Sequence, residues 1–239
     1  MSPEAIRSCA ASVQPLVFET GIPKFPYSTA GTGFLVIYAG RGFLITARHL
    51  LRPETLTPLC IFPTDTSQHL IPLRDVFYIP QDKFDEDFSD FAVIEIDLAK
   101  LDRETGEGTA IDLSLAEGDW LAARESSSFA VIGYPLEHAN VDYDRESVST
   151  QRFALQGRYV GAAASRFLHE IEVRDHHGLT HFRGLSGSPI FSWFEYETGK
   201  ARLMLCGMAV QGTVESMRIR FIEWKVIAEA IKQKVKLGL

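Results

Sequence analysis

The sequence predicts an all-β protein that ends in a single α-helix. Most apolar segments are short, rich in β-branched or aromatic residues, and bounded by Gly, Pro or acidic residues, which is typical of antiparallel strands. These segments follow one another without helical segments between them, so we expect an antiparallel sandwich or barrel rather than βαβ units. From Ile222 to Lys236, by contrast, apolar residues recur at helical spacing, which predicts a C-terminal helix.

The strand-like segments fall into two groups. The clearest hairpin joins Gly33–Tyr38 to Phe43–Thr46 through a glycine-containing connection. Further strand-like segments are Leu59–Phe62, Val76–Ile79, Phe91–Ile96, Phe129–Tyr134, Arg158–Val160, Phe167–Val173, Ile190–Phe194, Leu203–Val210 and Met217–Ile222. The glycine-containing stretch Asp102–Gly118 is the best linker candidate. We therefore expect an N-terminal unit at residues 1–113 and a C-terminal unit at residues 114–239.

The composition is that of a globular protein with few basic residues. The chain has 239 residues, 46% of them hydrophobic, and a formal net charge of −7 at pH 7. Nucleic-acid binding and adhesion to anionic membranes both need a local excess of Lys and Arg, so we expect neither partner. The three cysteines, Cys9, Cys60 and Cys206, fit neither a disulfide framework nor a zinc site. With no secretory signal pattern and no membrane-length apolar run, we expect a cytoplasmic protein.

Three short segments carry the residue types of acyl-transfer catalysis. His49 follows one apolar strand, Asp90 precedes another, and Ser186 lies in a glycine-rich turn. A serine hydroxyl becomes a good nucleophile when a neutral imidazole accepts its proton, and a carboxylate on the other ring nitrogen orients that imidazole. Backbone amides beside small residues can then stabilise the oxyanion. The three segments together predict a Ser-His-Asp triad.

In their His…Asp…Ser order, these segments resemble the chymotrypsin/trypsin-like serine proteases. The motifs that carry the resemblance are Thr46–His49, Asp90–Val93, Gly184–Pro189, Gly31–Phe34, Gly118–Trp120, Ala130–Pro135, Leu205–Gly212 and Phe221–Trp224. Secreted trypsins have an aspartate before the serine and a cysteine after the histidine, where this chain has Leu185 and Leu50. The pattern is therefore more similar to the disulfide-free bacterial members, such as the high-temperature-requirement and glutamyl-endopeptidase-like proteases.

The resemblance implies two six-stranded antiparallel β-barrels of the chymotrypsin type, a C-terminal helix, and an active site between the barrels. It implies that His49 is the general base, Asp90 its orienting partner and Ser186 the nucleophile. The backbone amides of Gly184 and Ser186 would form the oxyanion hole. The implied activity is hydrolysis of peptide bonds in a protein or peptide substrate through an acyl-enzyme, with no cofactor and no metal ion.

The resemblance also implies where the substrate lies. It places Thr180 in the specificity pocket, and Val210, Gln211 and Gly212 on the strand edge that binds an extended substrate. Thr180 supplies no carboxylate, and Ala209 stands where glutamate-specific relatives have a histidine. We therefore expect an uncharged or apolar residue before the scissile bond.

Other residues and another fold compete with this interpretation. Asp85 and Asp87 compete with Asp90, which we favour because it adjoins a strand. The Gly-x-Ser-x-Gly elbow of α/β-hydrolases does not match, because position 188 is serine. The histidines His176, His177 and His181 are interpreted as a polar loop rather than a metal site.

Two other functions are compatible with the sequence. One is a catalytically silent protein-binding module with a trypsin-like fold. The other is a dedicated regulatory protease of a bacterial stress or defence pathway. The oligomeric state stays open. Residues 1–30, which contain Pro15, Pro23 and Pro26, are expected to be irregular, either packed on the surface or part of the first barrel.

Overall fold

The computed structural model describes residues 9–51, 59–61, 71–73, 76–77, 87–105, 109–113, 118–144, 147–163, 165, 167–197 and 200–238. Over these residues the chain is mostly β, with an N-terminal sheet, a closed C-terminal barrel and a C-terminal helix. Among the described helices, none is both long and apolar enough to cross a lipid bilayer.

The N-terminal sheet contains eight strands in the described residues. In chain order they are β1 (Val13–Ile22), β2 (Phe25–Tyr38), β3 (Arg41–Thr46), β4 (Leu59–Ile61), β5 (Ile71–Pro72), β6 (Val76–Phe77), β7 (Ala92–Ile96) and β8 (Ile111–Asp112). Their order in the sheet is β5-β4-β1-β2-β3-β7-β6, and β8 pairs with β2 in parallel. The expected hairpin is present as β2 and β3, paired from Gly33↔Thr46 to Tyr38↔Arg41.

Both faces of this sheet are apolar, because each face packs against a different hydrophobic cluster. Leu35 and Leu44 belong to a cluster on one face, whereas Phe34 and Ile45 belong to a different cluster on the other face. The two ends of the sheet, β5 and β6, are only a few residues apart in the chain. The ends must therefore lie within about 15 Å of each other, at about 3.8 Å per residue.

Three features of this half differ from the sequence-based expectations. Among the described residues, the sheet has eight strands and no ladder joins its two ends, where a closed six-stranded barrel was expected. Residues 13–22, expected to be irregular, form β1; Pro15 is tolerated because the pairing with β4 begins only at Leu16. A short helix, α1 (Leu98–Thr105), interrupts the strands and enters the expected linker.

The C-terminal half contains a closed six-stranded antiparallel barrel. Its strands are β9 (Ser128–Gly133), β12 (Phe153–Ala162), β13 (Leu168–Val173), β14 (Pro189–Glu197), β15 (Lys200–Thr213) and β16 (Arg218–Glu223). They close in the order β12-β13-β16-β15-β14-β9. A separate hairpin joins β10 (Ala139–Asp142) to β11 (Ser147–Thr150). A closed six-stranded antiparallel barrel, expected from the sequence, is confirmed for this half.

The predicted C-terminal helix is confirmed as α2 (Trp224–Leu237). Its apolar face includes Ile227 and Ile231, both fully buried. These residues belong to one cluster with Phe34 of the N-terminal sheet and Met208 of the barrel. The helix therefore packs into a core that both halves share, and that core sets how the two halves lie against each other.

All three cysteines are free and buried. Burial raises the pKa of the Cys60 thiol to about 11 and that of the Cys206 thiol to about 12. These thiols are therefore protonated and unreactive at neutral pH.

A histidine lies inside the barrel among aromatic rings. His169 is 7% exposed, and its ring centroid lies 5.0 Å from that of Trp120. Its Nδ1 atom is 3.0 Å from the Tyr159 hydroxyl, and its Nε2 atom is 3.8 Å from a carboxylate oxygen of Glu223. The Glu223 carboxylate is itself 3.0 Å from Lys225 Nζ. Burial lowers the pKa of His169 by more than the attraction to Glu223 raises it.

This lowered pKa predicts an acid-sensitive barrel. The unfolded chain takes up a proton on His169 below a pKa of about 6.5, whereas the folded chain resists it. The contribution of neutral His169 to the free energy of unfolding is therefore complete above about pH 6.5 and falls as the pH drops toward the folded pKa. We expect His169→Gln to flatten this loss, measured by urea unfolding between pH 7.5 and 5.5. The exposed-histidine variant His138→Gln is the control; an equal flattening in both variants would contradict the prediction.

Candidate active site

His49 and Asp90 are brought together by the pairing of β3 with β7. Thr46 pairs with Ala92 at the end of that ladder, so the residues just beyond it lie at the same edge. His49 Nδ1 is 2.6 Å from Asp90 Oδ2, and the His49 amide donates to Asp90 Oδ1 at 2.9 Å. Both carboxylate oxygens thus orient His49, and a proton on Nδ1 leaves Nε2 free to accept another.

Of the three candidate aspartates, Asp90 is the one whose side chain lies within the described residues. Asp85 and the side chain of Asp87 lie outside what the structure describes. The Asp90 carbonyl also accepts a hydrogen bond from the Arg48 amide at 3.3 Å. Asp90 is therefore held by its backbone as well as by its side chain.

Ser186 lies in the turn that precedes β14 and touches strand β15. Its hydroxyl donates to the Val210 carbonyl at 3.1 Å. Val210 lines a cavity of about 330 Å³ together with His49, Asp90, Leu168, Gln211 and Arg220. Between the described side chains of Ser186 and His49 there is no hydrogen bond. Ser186 is therefore linked to the cavity of His49 through its hydrogen bond to Val210, which lines that cavity.

The backbone amides of this turn differ in whether they have a protein acceptor. The amides of Leu185, Gly187 and Ser188 donate to protein carbonyls at 3.1, 2.8 and 3.0 Å. In the described part of the chain, the amides of Gly184 and Ser186 have no protein acceptor. These are the two amides that the resemblance implies for the oxyanion hole.

The neighbouring peptide orients one of these amides. The Arg183 carbonyl accepts a hydrogen bond from the Leu136 amide at 2.9 Å. Because the carbonyl and the following N–H of a trans peptide point in opposite directions, the Gly184 N–H points away from Leu136. Gly184 has a φ of +93°, and an added Cβ would lie 2.5 Å from the Tyr134 carbonyl oxygen. Glycine is therefore required there.

Thr32 of β2 joins the N-terminal sheet to this turn. Its hydroxyl donates to the Gly184 carbonyl at 2.7 Å and accepts from the Tyr134 amide at 2.9 Å. Its amide donates to the Ser186 carbonyl at 3.2 Å, and its carbonyl accepts from the Thr46 hydroxyl at 2.7 Å. Sequence reasoning missed this role. The available signal was a polar residue between two glycines at the start of a buried apolar strand.

The turn also approaches β2 more closely than any side chain allows. Gly187 has a φ of +86°, and an added Cβ would lie 1.9 Å from the Thr32 carbonyl oxygen and 2.6 Å from the Thr46 hydroxyl oxygen. Such distances are impossible for real atoms. Gly187 therefore permits the contact that joins the two halves beside Ser186.

Strand β15, which contains Val210, has a free edge over part of its length. Strand β14 pairs with β15 only as far as Pro189↔Met208, and Ala209 then bonds to the Ser186 turn through its own amide and carbonyl. On its other side, β15 stays paired with β16 through Thr213. Among the described residues, Val210–Gly212 therefore have one edge without a backbone partner, as the resemblance implies for a substrate-binding strand.

Thr180 has a charged neighbour that the sequence did not predict. Its amide and hydroxyl donate to the Glu137 carboxylate at 3.0 and 2.7 Å. Burial alone would raise the pKa of Glu137, but the hydrogen bonds from Thr180 and the nearby His181 hold it below its ordinary value. Thr180 does not line the cavity beside His49. Its surroundings are therefore anionic, although the residue itself is uncharged.

The histidines His176, His177 and His181 lie in the loop between β13 and β14. His177 Nδ1 is 3.4 Å from Asp175, and the Nδ1 atoms of His176 and His181 are buried without a hydrogen-bond partner. Over the described ranges, no three potential ligand side chains are grouped to hold a metal ion.

Comparison with known proteins adds no assignment to this geometry. No protein-family model matches the chain, and no curated protein sequence matches it. The chemistry of the site must therefore be inferred from the His49–Asp90 pair, the Ser186 turn and the free edge of β15.

Removing the Thr32 hydroxyl should loosen the turn. Thr32→Val keeps the shape of the side chain but leaves the Gly184 carbonyl and the Tyr134 amide unsatisfied in a buried site. We expect the free energy of unfolding to fall by about 2–5 kcal/mol, measured by urea unfolding. Thr29→Val, on the same strand with no described side-chain hydrogen bond, should cost less than about 1 kcal/mol. Equal losses in the two variants would show that Thr32 has no special role.

Gly187 and Gly178 offer a matched comparison of clash and backbone strain. Both have positive φ, but an added Cβ at Gly178 meets nothing within 4 Å. Gly178→Ala should therefore cost only the left-handed backbone strain, about 1–2 kcal/mol. Gly187→Ala adds the collision with Thr32, and we expect it to lower the melting temperature at least twice as far. Similar thermal shifts would mean that the turn moves freely away from β2.

Proposed function

We propose that the chain is a serine endopeptidase of the chymotrypsin-like kind that hydrolyses peptide bonds through an acyl-enzyme on Ser186. The observation that carries the proposal is the His49–Asp90 pair, which lines the same cavity as Val210, the hydrogen-bond partner of the Ser186 hydroxyl. A histidine oriented by an aspartate activates a serine hydroxyl for attack when it accepts the hydroxyl proton.

In the proposed reaction, the Ser186 hydroxyl leaves the Val210 carbonyl and transfers its proton to His49 Nε2. The Ser186 oxygen attacks the substrate carbonyl carbon, and the carbonyl oxygen becomes an oxyanion. The unpaired amides of Gly184 and Ser186 donate to that oxyanion. Protonated His49, stabilised by Asp90, then gives its proton to the departing amine. A water molecule then gives a proton to His49 as its oxygen attacks the acyl carbon, and His49 returns that proton to the Ser186 oxygen as the acid product leaves.

The two-barrel architecture is part of the proposal. The strands of the N-terminal sheet all come before residue 113, and those of the closed barrel come after residue 127. The sheet curves back on itself, and it shares a buried core with the barrel and α2. His49 and Asp90 come from one half and Ser186 from the other, which supports a catalytic cleft between them. The free thiols of Cys9, Cys60 and Cys206 support a reducing compartment, the cytoplasm.

A binding module without turnover is the second candidate. It is favoured by the hydrogen bond that Ser186 makes to Val210 instead of His49. In such a module the same free edge of β15 would hold an extended peptide. The two candidates differ in whether Ser186 is nucleophilic, and this is directly measurable.

Labelling by a fluorophosphonate probe separates the two candidates. We expect the wild-type chain to be labelled and Ser186→Ala to be unlabelled with the same melting temperature. Ser188→Ala is the matched control, because Ser188 lies two residues away and its buried hydroxyl has no hydrogen-bond partner among the described residues. Labelling that persists in Ser186→Ala would overturn the nucleophile assignment. A wild-type chain that is neither labelled nor able to cleave peptides would favour the binding module.

A further inference from the structure

Charged side chains cross the outside of the barrel toward the cavity of His49. The register of β13, β16 and β15 places Glu170 opposite Arg220 and Arg220 opposite Gln211. In the next row, Arg218 lies between Thr213 and Glu172, and the Glu172 carboxylate accepts from Arg158 Nε at 2.6 Å. Because directly opposed residues of neighbouring strands share a face, these side chains form two rows that run to the free edge of β15.

Glu170, the acidic residue that contacts both arginines, accepts a hydrogen bond from each of them, whereas the arginines retain further donors. Glu170 Oε1 accepts from Arg220 Nε at 2.8 Å, and Glu170 Oε2 accepts from Arg218 Nη1 at 3.2 Å. These hydrogen bonds hold the pKa of Glu170 below its ordinary value. The Glu170 side chain is only 14% exposed, whereas those of Arg218 and Arg220 are 50% and 46% exposed. Each guanidinium has five N–H donors, so both retain donors that face solvent.

These residues line a groove with a positive charge. Its volume is about 330 Å³, and its lining residues are Glu170, Gln211, Gly212, Thr213, Ser216, Arg218 and Arg220. Two cations and one anion leave one positive charge on the groove of a chain whose formal net charge is −7. Gln211 and Arg220 also line the cavity of His49 and Asp90. The groove therefore continues that cavity.

The register also shows which substrate residue reaches the groove. A peptide added antiparallel to the free edge has its reacting residue beside Val210, because the Ser186 hydroxyl contacts the Val210 carbonyl. Counting back from the scissile bond, the second residue then opposes Gln211 and the fourth opposes Thr213. Side chains of alternate residues share a face, so the second and fourth residues lie on the face that carries the arginines.

The two positions meet different charges. The second residue enters the cavity that contains Arg220 but also Asp90, whose opposite charges offset each other. The fourth residue enters the groove of Arg218 and Arg220. The strand of Arg218 is two strand spacings from the peptide, about 10 Å, a distance that an arginine and a glutamate side chain span together.

We propose that this groove selects substrates with an acidic residue four positions before the scissile bond. The proposal rests on the proposed protease function and deepens it. An added carboxylate would take the guanidinium donors that Glu170 leaves free, as charge-assisted hydrogen bonds. Because the groove is open to solvent, we expect a preference of about three- to tenfold that weakens with salt.

A library of randomised decapeptides tests the proposal, with cleavage sites determined by mass spectrometry. Among the cleaved peptides, we expect Asp and Glu to be about three- to tenfold more frequent than Asn and Gln at the fourth position before the scissile bond. This ratio should be smaller in 0.5 M NaCl, where the Debye length is roughly 4 Å. Arg218→Gln should bring this ratio to about one, and Arg218→Glu should favour Lys instead. Arg41→Gln is the matched control: Arg41 is also paired with a glutamate, on the N-terminal sheet, but lines neither cavity, and its ratio should match the wild type.

The failure of this inference is distinguishable from failure of the proposed function. Cleavage with no acidic preference, or a preference that survives in Arg218→Glu, overturns this inference but does not contradict the proposed protease function. If no peptide is cleaved and fluorophosphonate does not label Ser186, both are overturned. Where labelling occurs but turnover is slow, tetrapeptides that begin with Glu or Gln serve as competitors of labelling. Stronger protection by the Glu peptides supports the groove, and equal protection overturns it.

Discussion

The hydrogen bonds of Thr32 are the constraint on which the candidate site depends. Its hydroxyl and amide hold the carbonyls of Gly184 and Ser186 from one side of the turn. The Gly184 carbonyl shares a peptide plane with the Leu185 amide, and the Ser186 carbonyl shares one with the Gly187 amide. Both amides donate to protein carbonyls, so two peptides of the turn are fixed at both ends. The bonds are buried, so a lost partner is not replaced by water. A single strand residue of the N-terminal half thus orders the turn that carries Ser186 in the other half.

The shared apolar core makes this junction possible. Helix α2 buries Ile227 and Ile231 in the cluster that contains Phe34 of the N-terminal sheet and Met208 of the barrel. Burial of these side chains stabilises one arrangement of the two halves. In that arrangement Gly187 can lie against Thr32 without a clash, because it has no Cβ. Hydrophobic packing therefore brings the halves together, and the hydrogen bonds of Thr32 set their alignment beside the cavity.

Charge is distributed unevenly around the candidate site. The Glu137 carboxylate holds Thr180 by three hydrogen bonds, whereas Arg218 and Arg220 enclose Glu170 on the strands beside the free edge. The cationic region lies along the free edge, whereas the anionic region surrounds Thr180, which does not line the cavity beside His49. The net charge of the chain does not show this difference, because it is the total over all surfaces of the protein.

Much of the fold and the main site candidates could be predicted from the sequence, because they depend on local patterns. Short apolar runs predict strands, helical spacing predicts α2, and glycines around Ser186 predict a tight turn. His49 and Asp90 each adjoin a strand, and the structure brings them into contact. Strand β1 and helix α1 were not predicted, since tertiary pairing overrides the local signal of proline and of a polar stretch.

The sequence by itself determined which residues are available for chemistry, namely a histidine, an aspartate and a serine beside apolar strands. Only the tertiary structure decided what surrounds them. The contacts of Thr32 with Gly184, of Glu137 with Thr180 and of Arg220 with Gln211 depend on the packing of turns and on strand register. Register is set by the pairing of whole strands around a closed barrel. No local spacing encodes it, so residues far apart in the chain become neighbours only in the folded protein.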